Sequence, residues 1–271
     1  MGDVRPCHER IDAAYRALPI ESVEAVIERC LQEYAAAFGC ENVGYGSLLS
    51  ERGAYYRGLG RWADCERDFR LAADTVKNAV GTESAEYATA LGNLASVLRT
   101  TGRTAEAEEA LLCSLAIYEK TVDTRHLLYA GAWNSLGQLY QQTEDWARAL
   151  EAHTRAAETV LQTTDDPDLL AVTWCNLANV HGHLGRWDTA ETELTRAIRL
   201  YERHALTASP HYYACLNDLG VLLYTQGRYG EATETFRTAL ARAEAIYRAD
   251  HPACEALRKH IVMAENAAGR G

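Results

Sequence analysis

Lysine is nearly missing from this 271-residue chain: Lys77, Lys120 and Lys259 are its only three. Lys plus Arg totals 27 against 38 Asp plus Glu, a formal net charge of −11. Non-specific nucleic-acid binding needs a positive surface that releases counterions, and anionic membranes attract polybasic segments. Neither partner is expected here. Proline (5), phenylalanine (3) and methionine (2) are also scarce, and few prolines leave room for long helices. No apolar run is long enough to span a membrane: the longest uncharged stretches, 126–143 and 169–185, contain Asn, Gln and His. Met1 to Pro6 opens the chain with no apolar segment behind it, and Pro6 stands where a myristoylation signal wants Ser or Thr. A cytoplasmic location is expected. No CxxC or zinc-ligand spacing joins the eight cysteines Cys7, Cys30, Cys40, Cys65, Cys113, Cys175, Cys215 and Cys254. They read as reduced thiols, mostly small core residues. P-loop, G-x-S-x-G, HExxH and EF-hand patterns are absent. No metal or cofactor is expected.

What the chain does contain is a repeat. The turns at Gly60-Arg61-Trp62, Gly102-Arg103-Thr104, Glu144-Asp145-Trp146, Gly185-Arg186-Trp187 and Gly227-Arg228-Tyr229 recur at spacings of 42, 42, 41 and 42 residues. Seven residues before each turn sits a tiny residue: Gly53, Ala95, Gly137, Ala178 or Gly220. Leucine precedes it in four copies, and Arg52 is the exception. Four residues earlier lies Leu49, Leu91, Trp133, Trp174 or Leu216; three later lies Tyr56, Leu98, Tyr140, His181 or Leu223. These offsets trace one face of a helix, and the tiny residue admits a second helix. After the turn come Cys65, Ala107, Ala149, Ala190 or Ala232, then Phe69, Leu111, His153, Leu194 or Phe236, then Ala72, Ser114, Ala156, Ala197 or Ala239. That is a second helical face. Each unit is therefore a helix, a turn whose glycine suits a left-handed backbone, and an antiparallel helix. Asp166-Pro167, Ser209-Pro210 and His251-Pro252 mark helix starts.

The large–x2–Leu–small–x2–large pattern followed by Ala–x3–large–x2–Ala resembles the tetratricopeptide repeat. Its usual unit is about 34 residues; the longer period here, and the stretch Tyr87 to Ala95 with Gly102 and Glu106-Ala107-Glu108, resemble the long-helix repeats of kinesin light chains. The resemblance implies an all-α, right-handed superhelical solenoid of five repeats, about 45–81, 82–123, 124–165, 166–207 and 208–249. Residues 1–44 and 250–271 are expected to form capping helices, because stacked repeats leave an apolar face open at each end. Ile20, Val23, Val26, Ile27, Cys30, Leu31, Tyr34 and Phe38 keep helical spacing, as does a shorter segment near His8–Leu18, and Gly39–Gly46 reads as a glycine-rich connector.

The resemblance also implies that the first helix of each pair lines a concave groove that holds a peptide. Positions one, five and eight after the first large apolar, and the position two after it, give a stripe rich in amides. Its candidate binding residues are Arg57, Asn93, Arg99, Asn134, Gln138, Gln141, Asn176, Asn179, His183, Asn217 and Tyr224, and the same column carries Ser135 and Asp218. An amide offers both a donor and an acceptor and can pair with extended backbone, while Arg57 and Arg99 could hold a carboxylate. The alternative is that these amides bond neighbouring helices. Family members that clamp a terminal carboxylate use Lys and Asn; this stripe has no Lys.

Gly58 to Ala63 matches G-x-G-x-x-A but ends a helix inside a repeat, so it does not read as a dinucleotide site. His181 and His183 are two apart and face different ways, which disfavours a shared metal. The expected function is a non-enzymatic scaffold binding a protein or peptide, with homodimerisation open. A peptide-sensing regulator acting on another protein is the alternative. An enzyme using Cys175, His181 or His183 is disfavoured, because no nucleophile–base–orienter trio can be assembled from the spacing.

Overall fold

The structure is a computed structural model that describes residues 2–122, 124–248 and 250–269. Asp123 and Ala249, where the second and fifth expected repeats end, lie outside the described residues, as do Met1, Arg270 and Gly271. The described residues form thirteen helices and no strand, so the all-α expectation holds. The chain divides into two compact units, Met1–Leu139 and Tyr140–Gly271.

In the first unit α1 (Arg5–Ala17) and α2 (Ile20–Phe38) precede the pairs α3 (Val43–Gly58) with α4 (Trp62–Val80) and α5 (Ala85–Thr100) with α6 (Thr104–Thr121). Helix α7 (Leu127–Gln142) carries the division. In the second unit α8 (Trp146–Thr163) is followed by α9 (Pro167–His183) with α10 (Trp187–Arg203), α11 (Pro210–Thr225) with α12 (Tyr229–Ile246), and α13 (Pro252–Ala268). Pro167, Pro210 and Pro252 each open a helix, where the missing N–H is no loss.

The periodic columns form the core. Cys65, Ala107, Ala149, Ala190 and Ala232 are wholly buried, as are Phe69, Leu111, Leu194 and Phe236 one turn later. The tiny residues of the first helices sit where the partner helix comes closest. A Cβ on Gly53 would lie 2.7 Å from Phe69 Cδ1, and one on Gly220 2.5 Å from Phe236 Cε1. The connector is shorter than the glycine-rich stretch 39–46, because α3 begins at Val43. Asn42 caps α3 by accepting from Tyr45 N at 3.0 Å, and Gly44 and Gly46 lie inside the helix. A Cβ on Gly46 would meet Val76 Cγ2 at 2.6 Å, so these glycines serve close packing rather than a loop.

At each turn the backbone N–H after the left-handed residue returns to a carbonyl five residues back, as at Arg103 to Leu98 (2.8 Å) and Arg228 to Leu223 (2.9 Å). Gly60, Gly102, Gly185 and Gly227 hold φ of +69°, +80°, +72° and +79°. Glu144 takes the same place at φ +58° with a side chain. Substituting Glu144→Gly is expected to stabilise the chain by about 1 kcal/mol, read by urea unfolding; a loss of stability would refute strain at this turn.

The arginine in three of the five turns also has a use that the spacing does not disclose. Arg61, Arg103 and Arg228 each reach forward to the acid three residues on and back 37 residues, to Glu24, Glu66 and Glu191 respectively. Each clip fastens a second helix to an earlier helix of the same unit. All are partly exposed, so water screens each pair and each adds little to stability. Arg52, the departure from the leucine column, is explained in the same unit. It donates to the wholly buried Asp68 (Nε to Oδ2, 2.5 Å) and to Glu28 of α2 (2.9 Å).

Candidate functional site

In the second unit α9, α10 and α11 line an open cavity of about 280 Å³. Ala178, Asn179 and His183 of α9, Trp187 and Leu194 of α10, and Asp218, Val221 and Leu222 of α11 line it. Helix α9 brings Asn179 and His183 to this wall because they are four residues apart on one face. Trp187, at the start of α10, lines the cavity with a half-exposed side chain. His183 stacks flat on Trp146, centroids 3.8 Å apart and planes within 6°. Asp218 meets the cavity half-buried, and burial pushes its carboxyl up to about 6.

The predicted stripe residues do not converge on one place. Several are spent on bonds between helices. Arg57 Nη1 donates to Ser96 Oγ at 3.3 Å, and Gln141 Nε2 to Asn179 Oδ1 at 3.1 Å. His260 Nδ1 of α13 donates to Asn217 Oδ1 at 3.0 Å, and Tyr224 packs against Tyr229 with centroids 5.2 Å apart. Asn134, Gln138 and Asn176 are half-buried. Arg99 is half-buried too, and burial pulls its guanidinium below the ordinary value. Asn93 lies in a separate recess of the first unit with Ser47, Ser50 and Glu51 of α3 and Glu86 of α5. Of the predicted residues, the α9–α11 cavity gathers only Asn179 and His183. The structure adds Trp187 and Asp218. Asp218 shares its column with Glu51, Asn93, Ser135 and Asn176, so an acid there was visible in the sequence but not unique.

The expectation that every cysteine is a reduced thiol is corrected. Cys175 of α9 and Cys215 of α11 are joined in a disulfide, with Cα atoms 6.1 Å apart, and the other six are free. The bridge is long-range because successive first helices lie side by side, which no local cysteine spacing signals. A bridged Cys175 has no thiolate with which to attack a substrate. His181 Nδ1 pairs with the buried Glu193 at 2.8 Å, so it braces α9 against α10 instead of facing the cavity. No cluster of metal-ligating side chains exists among the described residues, and none of their helices is long and apolar enough to cross a membrane.

The fold has solved counterparts. BtubC (BKLC) from P. vanneervenii superposes with a TM-score of 0.66 at 23% identity, over 75% of this chain and 80% of that one. A kinesin light chain protein of Podosopora anserina with nearly identical TPR-like repeats gives 0.61 at 18%, over 74% and 95%. A Rap protein complexed with competence and sporulation factor gives 0.73 at 14%, over 97% and 73%. At such identities the likeness shows the fold alone. No curated protein sequence matches the chain. The tetratricopeptide-repeat family model matches residues 44–120, 128–203 and 168–245. With the helix pairs, left-handed turns and small–large columns already in place, the chain belongs to the tetratricopeptide-repeat family.

Proposed function

We propose that the chain is a non-enzymatic interaction module that holds a peptide or protein segment against its first helices, in a cytoplasmic setting and without a cofactor. The observation that carries this reading is the α9–α11 cavity, where apolar walls meet the polar ends of Asn179, His183 and Asp218. Such a mixed concavity suits an anchor side chain. The bonds of Gln141 and Asn217 to other helices favour this cavity over a continuous amide stripe as the place of recognition. A second reading, a peptide-sensing regulator acting on another protein, draws on the Rap likeness, whose solved form holds competence and sporulation factor.

Selection of displayed peptides on the purified chain tests the proposal. Val221 lines the cavity yet is 42% exposed, so Val221→Trp blocks the cavity without entering the core. Selected peptides should bind at micromolar strength, about −8 kcal/mol, and lose at least about tenfold on Val221→Trp with the melting temperature unchanged. No enriched peptide, or equal binding to the variant, would refute it.

A further inference from the structure

Carboxylates removed from water normally have a cation. Asp68 has Arg52 and Arg67, and Glu193 is hydrogen-bonded to His181. Asp218 has neither. Its hydrogen bond comes from the adjacent Asn217 Nδ2 at 3.5 Å, the outer limit for such a bond. Asn217 itself is held through Oδ1 by His260, 3.0 Å away, so the amide is fixed in place and brings no charge. Burial raises the Asp218 carboxyl, yet at neutral pH it is still mostly ionised. It opens onto the cavity instead of being covered by a side chain of its own unit. The same cavity is lined by Trp187 of α10, by the apolar Leu222 and Val221 of Asp218's own helix, and by Asn179 and His183 of α9.

We propose that this cavity is a socket for one lysine or arginine side chain of the bound peptide. The alkyl stem lies against Leu222, Val221 and Trp187, and the cation meets the Asp218 carboxylate. Lys and Arg combine an apolar stem and a charged head in this order, and an indole face attracts a cation. The chain's charge of −11 favours approach of a basic segment. An acidic side chain would place a second negative charge beside Asp218 and be rejected. The proposal rests on the peptide-binding reading.

Four small probes separate the two: the Nα-acetyl amides of arginine, lysine, norleucine and glutamate, titrated against the full chain by ligand-observed NMR. Norleucine keeps the lysine stem and lacks the charge. The arginine and lysine amides should bind wild type about tenfold or more tightly than norleucine amide, and glutamate amide should not bind. Asp218→Asn keeps the shape and removes the charge, and should bring the preference within about twofold. Were Asp218→Asn to unfold, loss of the preference in Val221→Trp would serve in its place. Equal binding of lysine and norleucine amides to wild type, or a preference that survives both variants, overturns the socket. Displayed peptides that bind without an enriched basic residue, and are indifferent to Asp218→Asn, overturn the socket and leave peptide binding standing. Basic probes that bind while no peptide is selected uphold the socket and end the peptide reading.

Discussion

Replacing Arg52 with leucine, the residue found in that column in the other four repeats, should destabilise the protein by about 3 kcal/mol. By periodicity alone the change is a repair. The structure reverses that expectation, because Asp68 is wholly buried and Arg52 meets both of its carboxylate oxygens, at 2.5 and 3.2 Å. Burial by itself would pull the Arg52 guanidinium down, but Asp68 and Glu28 outweigh it and hold it above the ordinary value. Arg67, more than half exposed, still reaches Asp68 at 3.1 Å, which keeps the loss at the lower end for a broken buried pair. Arg52→Leu also frees Glu28 and so loosens α2 from α3. The double variant Arg52→Leu/Asp68→Leu should recover most of the loss, since it strands no buried charge. Urea unfolding of the three variants checks this. A neutral Arg52→Leu would mean that the pair does not anchor the first unit.

His153→Leu should stabilise the second unit by about 2 kcal/mol at pH 7, growing to about 5 kcal/mol at pH 4. His153 occupies the large apolar column that Leu111 and Leu194 fill elsewhere, is 1% exposed, and has no partner for either ring nitrogen among the described residues. Leucine removes two unsatisfied polar atoms in a position built for leucine. The pH term follows from burial, which lowers the imidazole to about 4 from its ordinary 6.5. A base whose folded value is depressed leaves the unfolded chain binding the extra proton. Stability is therefore whole above about 6.5 and falls by about 3 kcal/mol as the pH drops to about 4. Asp218 titrates in the opposite sense, raised in the folded state and so favouring the fold as pH falls. It is present in both proteins and cancels from their difference. Unfolding curves of wild type and variant at pH 7, 5.5 and 4 should diverge toward acid. Parallel curves would place His153 in contact with water.

The helix pairs could be read from the chain because their determinants are local. Five turns, a small residue seven before each and an alanine or cysteine five after each fix both helices and their contact, and every one of those second-helix positions is wholly buried. The stripe residues could be placed on a face but not paired, because pairing depends on the stagger between successive first helices. That stagger makes Gln141 meet Asn179 at 38 residues, Arg57 meet Ser96 at 39 and Cys175 meet Cys215 at 40, each slightly short of the repeat. The shortfall is at most about one helical turn. A periodic sequence shows the repeat length and is silent on this offset, so amides that looked free for a ligand turned out to join helices, and two cysteines that looked solitary turned out to be bridged. Asp218 was visible as an acid in the stripe, as was Glu51; that Asp218 has no cation among the described residues is a three-dimensional fact.

The most direct test of the binding account is to map backbone amide shifts in the isotope-labelled chain as a selected peptide is added. The account predicts that the largest shifts fall on Asn179, Gly182, His183, Asp218 and Val221, around the cavity of the second unit. Shifts confined to the exposed face of α10, at Thr192, Thr195 and Arg199, would contradict it.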